Sequence, residues 1–279
     1  MKFVIIASAR TGSSHLVNML GGHPEIFCHG NVFAGHMMAV FWPKANRPSA
    51  SETAMTKSDL RQLRDADPDA FLDRVFSMNF DRAHVGFKIF RGQNDEILHK
   101  LVLDPSVRKV VLFRRNVLAN YSSAMIAKAS DTWDVVKDET AEEVKRVQFE
   151  EGDFIKFHNN FIRYYKSVIS DLNASKQQYH FINYEDINDA AMLNSLINFL
   201  GADTGSKINM KEIRKQQVKQ NTSDILQRFS NPEDVVAFLT KYDRLHWKYE
   251  GETAIAPLRR DADAGTEADT TTAEDADAG

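Results

Sequence analysis

The first twenty residues combine a buried-strand pattern, a short loop of small residues and the start of a helix. Phe3–Ile6 is a continuous apolar run, and a helical apolar pattern begins at Leu16. In such a segment the backbone N–H groups of the loop and the dipole of the helix point at one spot. The segment therefore predicts an α/β fold with a site for a phosphate or sulfate group. The loop residues are Arg10, Thr11, Gly12, Ser13 and Ser14.

The same loop is a poor match to the phosphate loop of nucleotide triphosphatases. That motif needs a glycine, four residues, and then Gly-Lys-Ser/Thr. Here Ala7 stands at the position of the first glycine, and Ser13 stands at the position of the lysine. The pattern argues against ATP hydrolysis, although a P-loop kinase or NTPase stays open as an alternative.

A second basic segment follows another buried-strand pattern. Val110–Phe113 is apolar, and Arg114 and Arg115 come directly after it. Ligands of open α/β sheets bind at the carboxyl ends of the strands. Ser123 follows Arg115 by eight residues, within a predicted helix, so the two side chains could reach one second anion. The alternative is that the arginines are solvated charges at a strand end.

Together, the two segments resemble the sulfotransferases that use 3′-phosphoadenosine 5′-phosphosulfate (PAPS) as donor. The resemblance implies an α/β, P-loop-type three-layer fold with a central, mainly parallel sheet flanked by helices. It also implies that residues 10–14 hold the 5′-phosphosulfate and that Arg115 and Ser123 hold the 3′-phosphate. A segment similar to one that closes over the donor spans 217–221. The donor-binding residues implied are Arg10, Thr11, Gly12, Ser13, Ser14, Arg115, Ser123, Lys219 and Gln220.

Further segments resemble the branch that includes bacterial carbohydrate sulfotransferases of the nodulation-factor type. They are residues 20–24, 29–33, 85–89 and 183–187, and the resemblance covers roughly residues 1–245. It implies PAPS as co-substrate without a metal. The implied partner is a small-molecule or glycan acceptor, with sulfation of a carbohydrate or glycolipid hydroxyl as the reaction.

The catalytic residues that this resemblance implies include Arg10, Ser14 and Lys88, which would stabilise the charge that develops as the sulfur–oxygen bond breaks. The usual position of the general base holds no basic group here, because many relatives carry a glutamate where this chain has Asn31. Histidine titrates near neutral pH. His29 is therefore the first candidate for the base, ahead of the other nearby histidines, which are His15 and His36. A catalytically weakened PAPS-binding protein is the alternative.

Composition sets the remaining expectations for this chain of 279 residues. Residues 261–279 contain seven acids and no lysine or arginine, so we expect a disordered acidic tail after one domain over 1–260. Removing seven negative charges from the net charge of −4 leaves about +3 for the domain, which is too little for nucleic-acid binding. Cys28 is the single cysteine, and no signal peptide or membrane span is evident, so a cytoplasmic enzyme is expected.

Two further predictions concern a long helix and metal binding. Apolar residues at helical spacing predict a long amphipathic helix over 139–172. The histidines form no zinc-binding pattern, so no metal site is predicted. The oligomeric state is left open.

Overall fold

A parallel β-sheet forms the centre of the protein. The computed structural model describes residues 1–35, 38–42, 55–130, 146–206, 208 and 223–250. Within these residues the sheet has five strands in the order β2-β3-β1-β4-β5, and each neighbouring pair is parallel. The strands are β1 (Lys2–Ala7), β2 (Ile26–Asn31), β3 (His84–Phe90), β4 (Val107–Phe113) and β5 (Tyr179–Asn183).

Helices cover both faces of this sheet. Alternate side chains of β1 point to opposite faces, so β1 contributes to the core on each side. The helices are α1 (Ser13–Gly21), α2 (Lys57–Ala66), α3 (Pro68–Ser77), α4 (Asp95–Leu103), α5 (Val117–Ser130), α6 (Glu151–Ala174), α7 (Ala190–Leu200) and α8 (Pro232–Lys241). Phe3 and Ile5 pack in a core with α1 and α7, whereas Val4 and Ile6 pack in a core with α3, α4, α5 and α6.

The middle strand, β1, positions the predicted anion loop. It pairs with β3 on one side and β4 on the other, so the direction of the strand order changes at β1. Ligands of open α/β sheets bind in the crevice that such a change creates at the carboxyl ends of the strands. The loop after β1 lies at this edge. The topology confirms the expected α/β class with its central parallel sheet flanked by helices.

The long helix predicted over 139–172 begins later than the apolar spacing indicates. Its observed start is Glu151, the first residue of α6. Upstream, Val147 pairs with a second segment, donating its N–H to the carbonyl of Arg228 and accepting from the N–H of Ser230. These long-range backbone hydrogen bonds replace the ones that a helix would make there.

Two other predictions concern the acidic tail and membrane-spanning helices. The tail over 261–279 lies outside them, so its expected disorder remains a prediction. No helix in the described ranges is both long enough and apolar enough to cross a membrane.

Candidate anion-binding site

The loop between β1 and α1 has an unusual backbone shape. Arg10 has φ 64° and Gly12 has φ 81°, and both values lie in the left-handed region. Gly12 is the N-cap of α1. A Cβ atom added to Gly12 would lie 2.2 Å from Cδ2 of Tyr184. Glycine is needed here both for the backbone angle and for the close approach of the Tyr184 ring.

Several buried hydrogen bonds hold this loop in place. Thr11 is fully buried, and its hydroxyl donates to the carbonyl of Ser8 over 2.7 Å. The Ser8 N–H donates to the Tyr165 hydroxyl at 2.9 Å, and the Asn120 amide donates to the carbonyl of Ala9 at 2.9 Å. The Thr11 hydroxyl therefore stabilises the loop itself.

Two cations near the loop donate hydrogen bonds to hydroxyl groups on α1 and α5. Lys88, at the carboxyl end of β3, is 7% exposed, and its Nζ donates to Oγ of the exposed Ser14 at 2.7 Å. Arg10 Nε donates to Oγ of Ser123 on α5 at 2.9 Å. We call Arg10, Ser14, Lys88 and the amino end of α1 the anion cradle. The structure thus pairs Lys88 with Ser14 and Arg10 with Ser123.

Arg115 lies in a different setting from the one predicted. Its Nη2 is 2.6 Å from Oδ1 of Asp186, and its Nε is 3.6 Å from Oε2 of Glu185. Glu185 also approaches the backbone N–H groups of Arg115 and Asn116, both at 3.4 Å, directly before α5. We call Arg115, Glu185 and Asp186 the Arg115 cluster. Ser123, the predicted partner of Arg115, instead contacts Arg10.

A buried charge network behind the cradle was not predicted. Arg114 Nη1 donates to the carbonyl of Arg10 at 2.8 Å, and Nη2 pairs with Glu250 at 2.8 Å. Glu250 also pairs with Arg228, which is completely buried. The guanidinium of Arg114 lies 4.5 Å from the ring centroid of Tyr184. Arg114 therefore supports the left-handed turn at Arg10, a role that the Arg-Arg pair alone could not reveal.

His29 does not have the setting of a general base. It is fully buried, its Nδ1 accepts from the N–H of Phe41 at 3.1 Å, and its Nε2 lies 3.2 Å from the carbonyl oxygen of Met78. Since Nδ1 accepts, Nε2 carries the proton and donates. Burial lowers the pKa of His29 to about 4. Both ring nitrogens are used by the backbone, so the expectation that His29 takes the proton of an acceptor is not supported.

The other candidates for the base are placed as follows. His15 Nε2 lies 2.9 Å from Oδ1 of Asn188. Asn31 is in register with Lys88 across β2 and β3, and its buried Oδ1 has no hydrogen-bond partner among the described residues. An amide oxygen can accept a hydrogen bond from a hydroxyl but does not hold its proton. His36 lies outside the described residues.

The segment predicted to close over the donor is not described by the structure. Lys219 and Gln220 both lie in the range 209–222, outside the described residues. Their contact with the donor stays a prediction.

A cavity opens at the same carboxyl edge of the sheet, beside the ends of β2 and β3. Its volume is about 440 Å³. Polar groups line part of it, including Arg64, whose Nη1 donates to the carbonyls of Ala34 and Gly35 at 2.9 Å each. The other lining residues are Phe33, Asp65, Gly92, Gln93 and Asn94.

Comparisons with known proteins give similarity only at the level of structure. No protein-family model matches the chain, and no curated protein matches it significantly in sequence. It is similar to the crystal structure of a sulfotransferase from Alicyclobacillus acidocaldarius, with 15% identity, a TM-score of 0.46, and coverage of 88% of this chain and 94% of that chain. It is also similar to the sulfotransferase domain of the Synechococcus PCC 7002 olefin synthase, with 12% identity, a TM-score of 0.36, and coverage of 93% and 90%. The function is therefore argued from the site.

Proposed function

We propose that this protein transfers a sulfuryl group from PAPS to a hydroxyl of an acceptor. The observation that carries the proposal is the buried ammonium of Lys88, which donates to Ser14 at the amino end of α1. A helix amino end already favours an anion through its dipole and its unpaired N–H groups. A buried lysine at the same point adds a full positive charge, and Arg10 adds a second.

The donor chemistry fits this arrangement. The N–H groups of the loop and of the first turn of α1 would hold the 5′-phosphosulfate, together with Ser14 and Lys88. Arg115 would hold the 3′-phosphate through charge-assisted hydrogen bonds. In the resemblance Ser123 shares that phosphate, whereas in the structure its hydroxyl accepts a hydrogen bond from Nε of Arg10.

In the proposed reaction the acceptor oxygen attacks sulfur, and the bond between sulfur and the bridging oxygen breaks. Adenosine 3′,5′-bisphosphate leaves with the negative charge that develops on its 5′-phosphate. Lys88, Arg10 and the N–H groups of α1 stabilise this charge, and they are already oriented before the reaction begins. Asn31 would accept a hydrogen bond from the attacking hydroxyl and orient it. The hydroxyl becomes strongly acidic as its oxygen bonds to sulfur, and its proton passes to water.

The cavity beside β2 and β3 is the place we propose for the acceptor. Its volume of about 440 Å³ is large enough for a small-molecule or sugar unit. Hydrogen-bonding groups such as Gln93, Asn94 and Asp65 suit a polyhydroxylated acceptor. A carbohydrate or glycolipid acceptor, as in the nodulation-factor-type branch, agrees with this lining.

A donor-binding protein with weak turnover is the second candidate. It is favoured by the burial of His29 and by Asn31 at the position where many relatives carry a glutamate. Turnover separates the two candidates, because both predict tight binding of adenosine 3′,5′-bisphosphate.

The test begins with thermal shifts for adenosine 3′,5′-bisphosphate, ADP, and ATP with Mg²⁺. A ligand present at 100 times its Kd stabilises the folded state by about 2.7 kcal/mol. We expect the bisphosphate to give the largest shift without metal. A larger shift with ATP and Mg²⁺ would instead support a P-loop kinase. Transfer of label from ³⁵S-PAPS to a panel of glycans then tests turnover.

A further inference from the structure

The contacts of Asp186 show that a carboxylate already occupies the guanidinium proposed to bind the 3′-phosphate. Arg115 Nη2 lies 2.6 Å from Asp186 Oδ1. A phosphate bound at Arg115 needs the same donor groups, because a guanidinium binds phosphate and carboxylate with the same planar fork. A carboxylate left in place would also repel the bound phosphate. The two anions therefore compete for one cation.

The second oxygen of Asp186 makes this exchange possible. Oδ2 accepts a hydrogen bond from the side-chain amide of Asn183 at 2.9 Å, so Asp186 keeps a partner when Arg115 leaves. The side chains of Arg115 and Asp186 are 20% and 29% exposed, so solvent and ligand can reach both.

Glu185 differs from Asp186 in this respect. Its side chain is 4% exposed, and its carboxylate lies near the backbone N–H groups that precede α5. It complements the dipole of that helix. Glu185 is therefore held by more backbone contacts and is less exposed than Asp186, and it keeps a carboxylate 3.6 Å from Nε of Arg115.

We propose that Asp186 is a competing carboxylate that holds Arg115 in the free protein and yields it to the 3′-phosphate of the donor. The inference rests on the proposed use of PAPS. It makes Asp186 a determinant of how strongly the protein prefers a 3′-phosphorylated nucleotide over one with a free 3′-hydroxyl.

The test is isothermal titration of the full chain and its Asp186→Asn variant with adenosine 3′,5′-bisphosphate and with AMP. Asparagine keeps the size of the side chain and removes its charge. We expect the variant to bind the bisphosphate about threefold to tenfold more tightly, as suits the loss of a partly exposed ion pair. Binding of AMP should change less than about twofold. In an Arg115→Ala background the gain should disappear.

A matched control removes a similar charge far from the site. Asp69 pairs with Lys100 at 2.7 Å on the surface, so Asp69→Asn changes the net charge by the same amount. It should leave both affinities unchanged. Asp186→Ser, tested beside Asp186→Asn and checked by circular dichroism, guards against a variant that fails to fold.

Three results would overturn the inference in distinguishable ways. A weaker affinity of Asp186→Asn for the bisphosphate would show that Asp186 orients Arg115 for the ligand. Equal gains for the bisphosphate and AMP would show a general charge effect. Failure of the wild-type chain to bind either nucleotide would reject the proposed function itself, independently of Asp186.

Discussion

The anion cradle and the Arg115 cluster lie at the same edge of the sheet, but their cations contact different kinds of group. In the cradle, Lys88 and Arg10 donate to the hydroxyls of Ser14 and Ser123. In the cluster, Arg115 pairs with the carboxylate of Asp186. A hydroxyl partner does not compete with an anion for its cation, whereas a carboxylate partner does. A ligand anion would therefore have to displace Asp186 at Arg115, but would meet no such competition from Ser14 or Ser123.

The two helix amino ends show the same contrast. The first turn of α1 contains no acidic residue, and the Lys88 ammonium lies against its Ser14. At the start of α5, Glu185 approaches the two backbone N–H groups just before the helix. The positive end of the α5 dipole is therefore complemented by the protein, whereas at α1 a cation adds to it. This difference supports the proposal that the cradle holds the reacting phosphosulfate and that the cluster only binds the donor.

The largest effect should follow the loss of the cradle lysine. Lys88→Met removes a preorganised charge at the point where negative charge develops, so turnover with PAPS should fall about 10²–10³-fold. Labelled-product formation under single-turnover conditions measures this. Lys109→Met is the control. Lys109 is also buried and donates to Gln177, but it lies near the amino end of β4, at the edge of the sheet opposite to the cradle. Full turnover by a folded Lys88→Met protein would break the assignment.

A smaller effect is expected from the loop glycine. Gly12→Ala places a Cβ at φ 81° and 2.2 Å from the Tyr184 ring, so the loop must distort. Gly92→Ala is a matched control: its φ is 78°, but no described atom lies within 4 Å of the added Cβ. Both variants lose about 1 kcal/mol of stability from the backbone angle. Only Gly12→Ala should also weaken binding of adenosine 3′,5′-bisphosphate, by roughly 30-fold, a loss of about 2 kcal/mol.

Calorimetric titration and thermal unfolding measure the two quantities separately for the glycine variants. Tyr184→Ala should recover part of the binding lost by Gly12→Ala, since it removes the atoms that the new Cβ meets. Equal losses of affinity in Gly12→Ala and Gly92→Ala would mean that the close approach of Tyr184 has no part in the site.

The predictable parts of the site are those that depend on local sequence or on the pairing of parallel strands. The loop from Arg10 to Ser14 follows β1, and Lys88 lies near the carboxyl end of the neighbouring strand β3, so both had to reach one edge of the sheet. The helical stripe before α6 was misleading, because Val147 forms backbone bonds with a segment about eighty residues later. No local pattern reports such a partner.

The same reason explains why the sequence did not predict the partners of single side chains. Arg115 meets Asp186 seventy-one residues later in the chain, and Arg114 meets Glu250 across 136 residues. The numbers of acidic and basic residues show that ion pairs can form, but they do not show which side chains pair. His29 contacts the N–H of Phe41 and the carbonyl of Met78, which lies forty-nine residues later at the end of α3. The position of His29 near a motif did not reveal these contacts.

Arg115→Ala should have an intermediate effect on affinity. The affinity that Arg115 provides is the difference between its interaction with the 3′-phosphate in the complex and its interaction with Asp186 in the free protein. The wild-type protein loses the Asp186 contact at 2.6 Å when the 3′-phosphate binds, and this offsets part of the gain. We expect affinity for adenosine 3′,5′-bisphosphate to fall about tenfold, near the lower end for a charged hydrogen bond. AMP should bind as before. Equal losses for the two nucleotides in the titration would remove Arg115 from the 3′-phosphate site.

The smallest expected effect is the contribution of His29 to the pH dependence of stability. The pH dependence of the transfer rate then tests whether His29 acts as the base. Burial lowers the pKa of His29 from 6.5 to about 4, so between these values the unfolded chain binds the proton more readily. Stability must therefore fall as the pH drops through this window, by about 1 kcal/mol between pH 7 and pH 5.5 for this group. Urea unfolding at both pH values should show a smaller fall in His29→Gln, while His84, His158 and His180 titrate equally in both proteins. A rate of sulfuryl transfer that rises through a neutral pKa in the wild type, and loses that rise in His29→Gln, would restore His29 as the base.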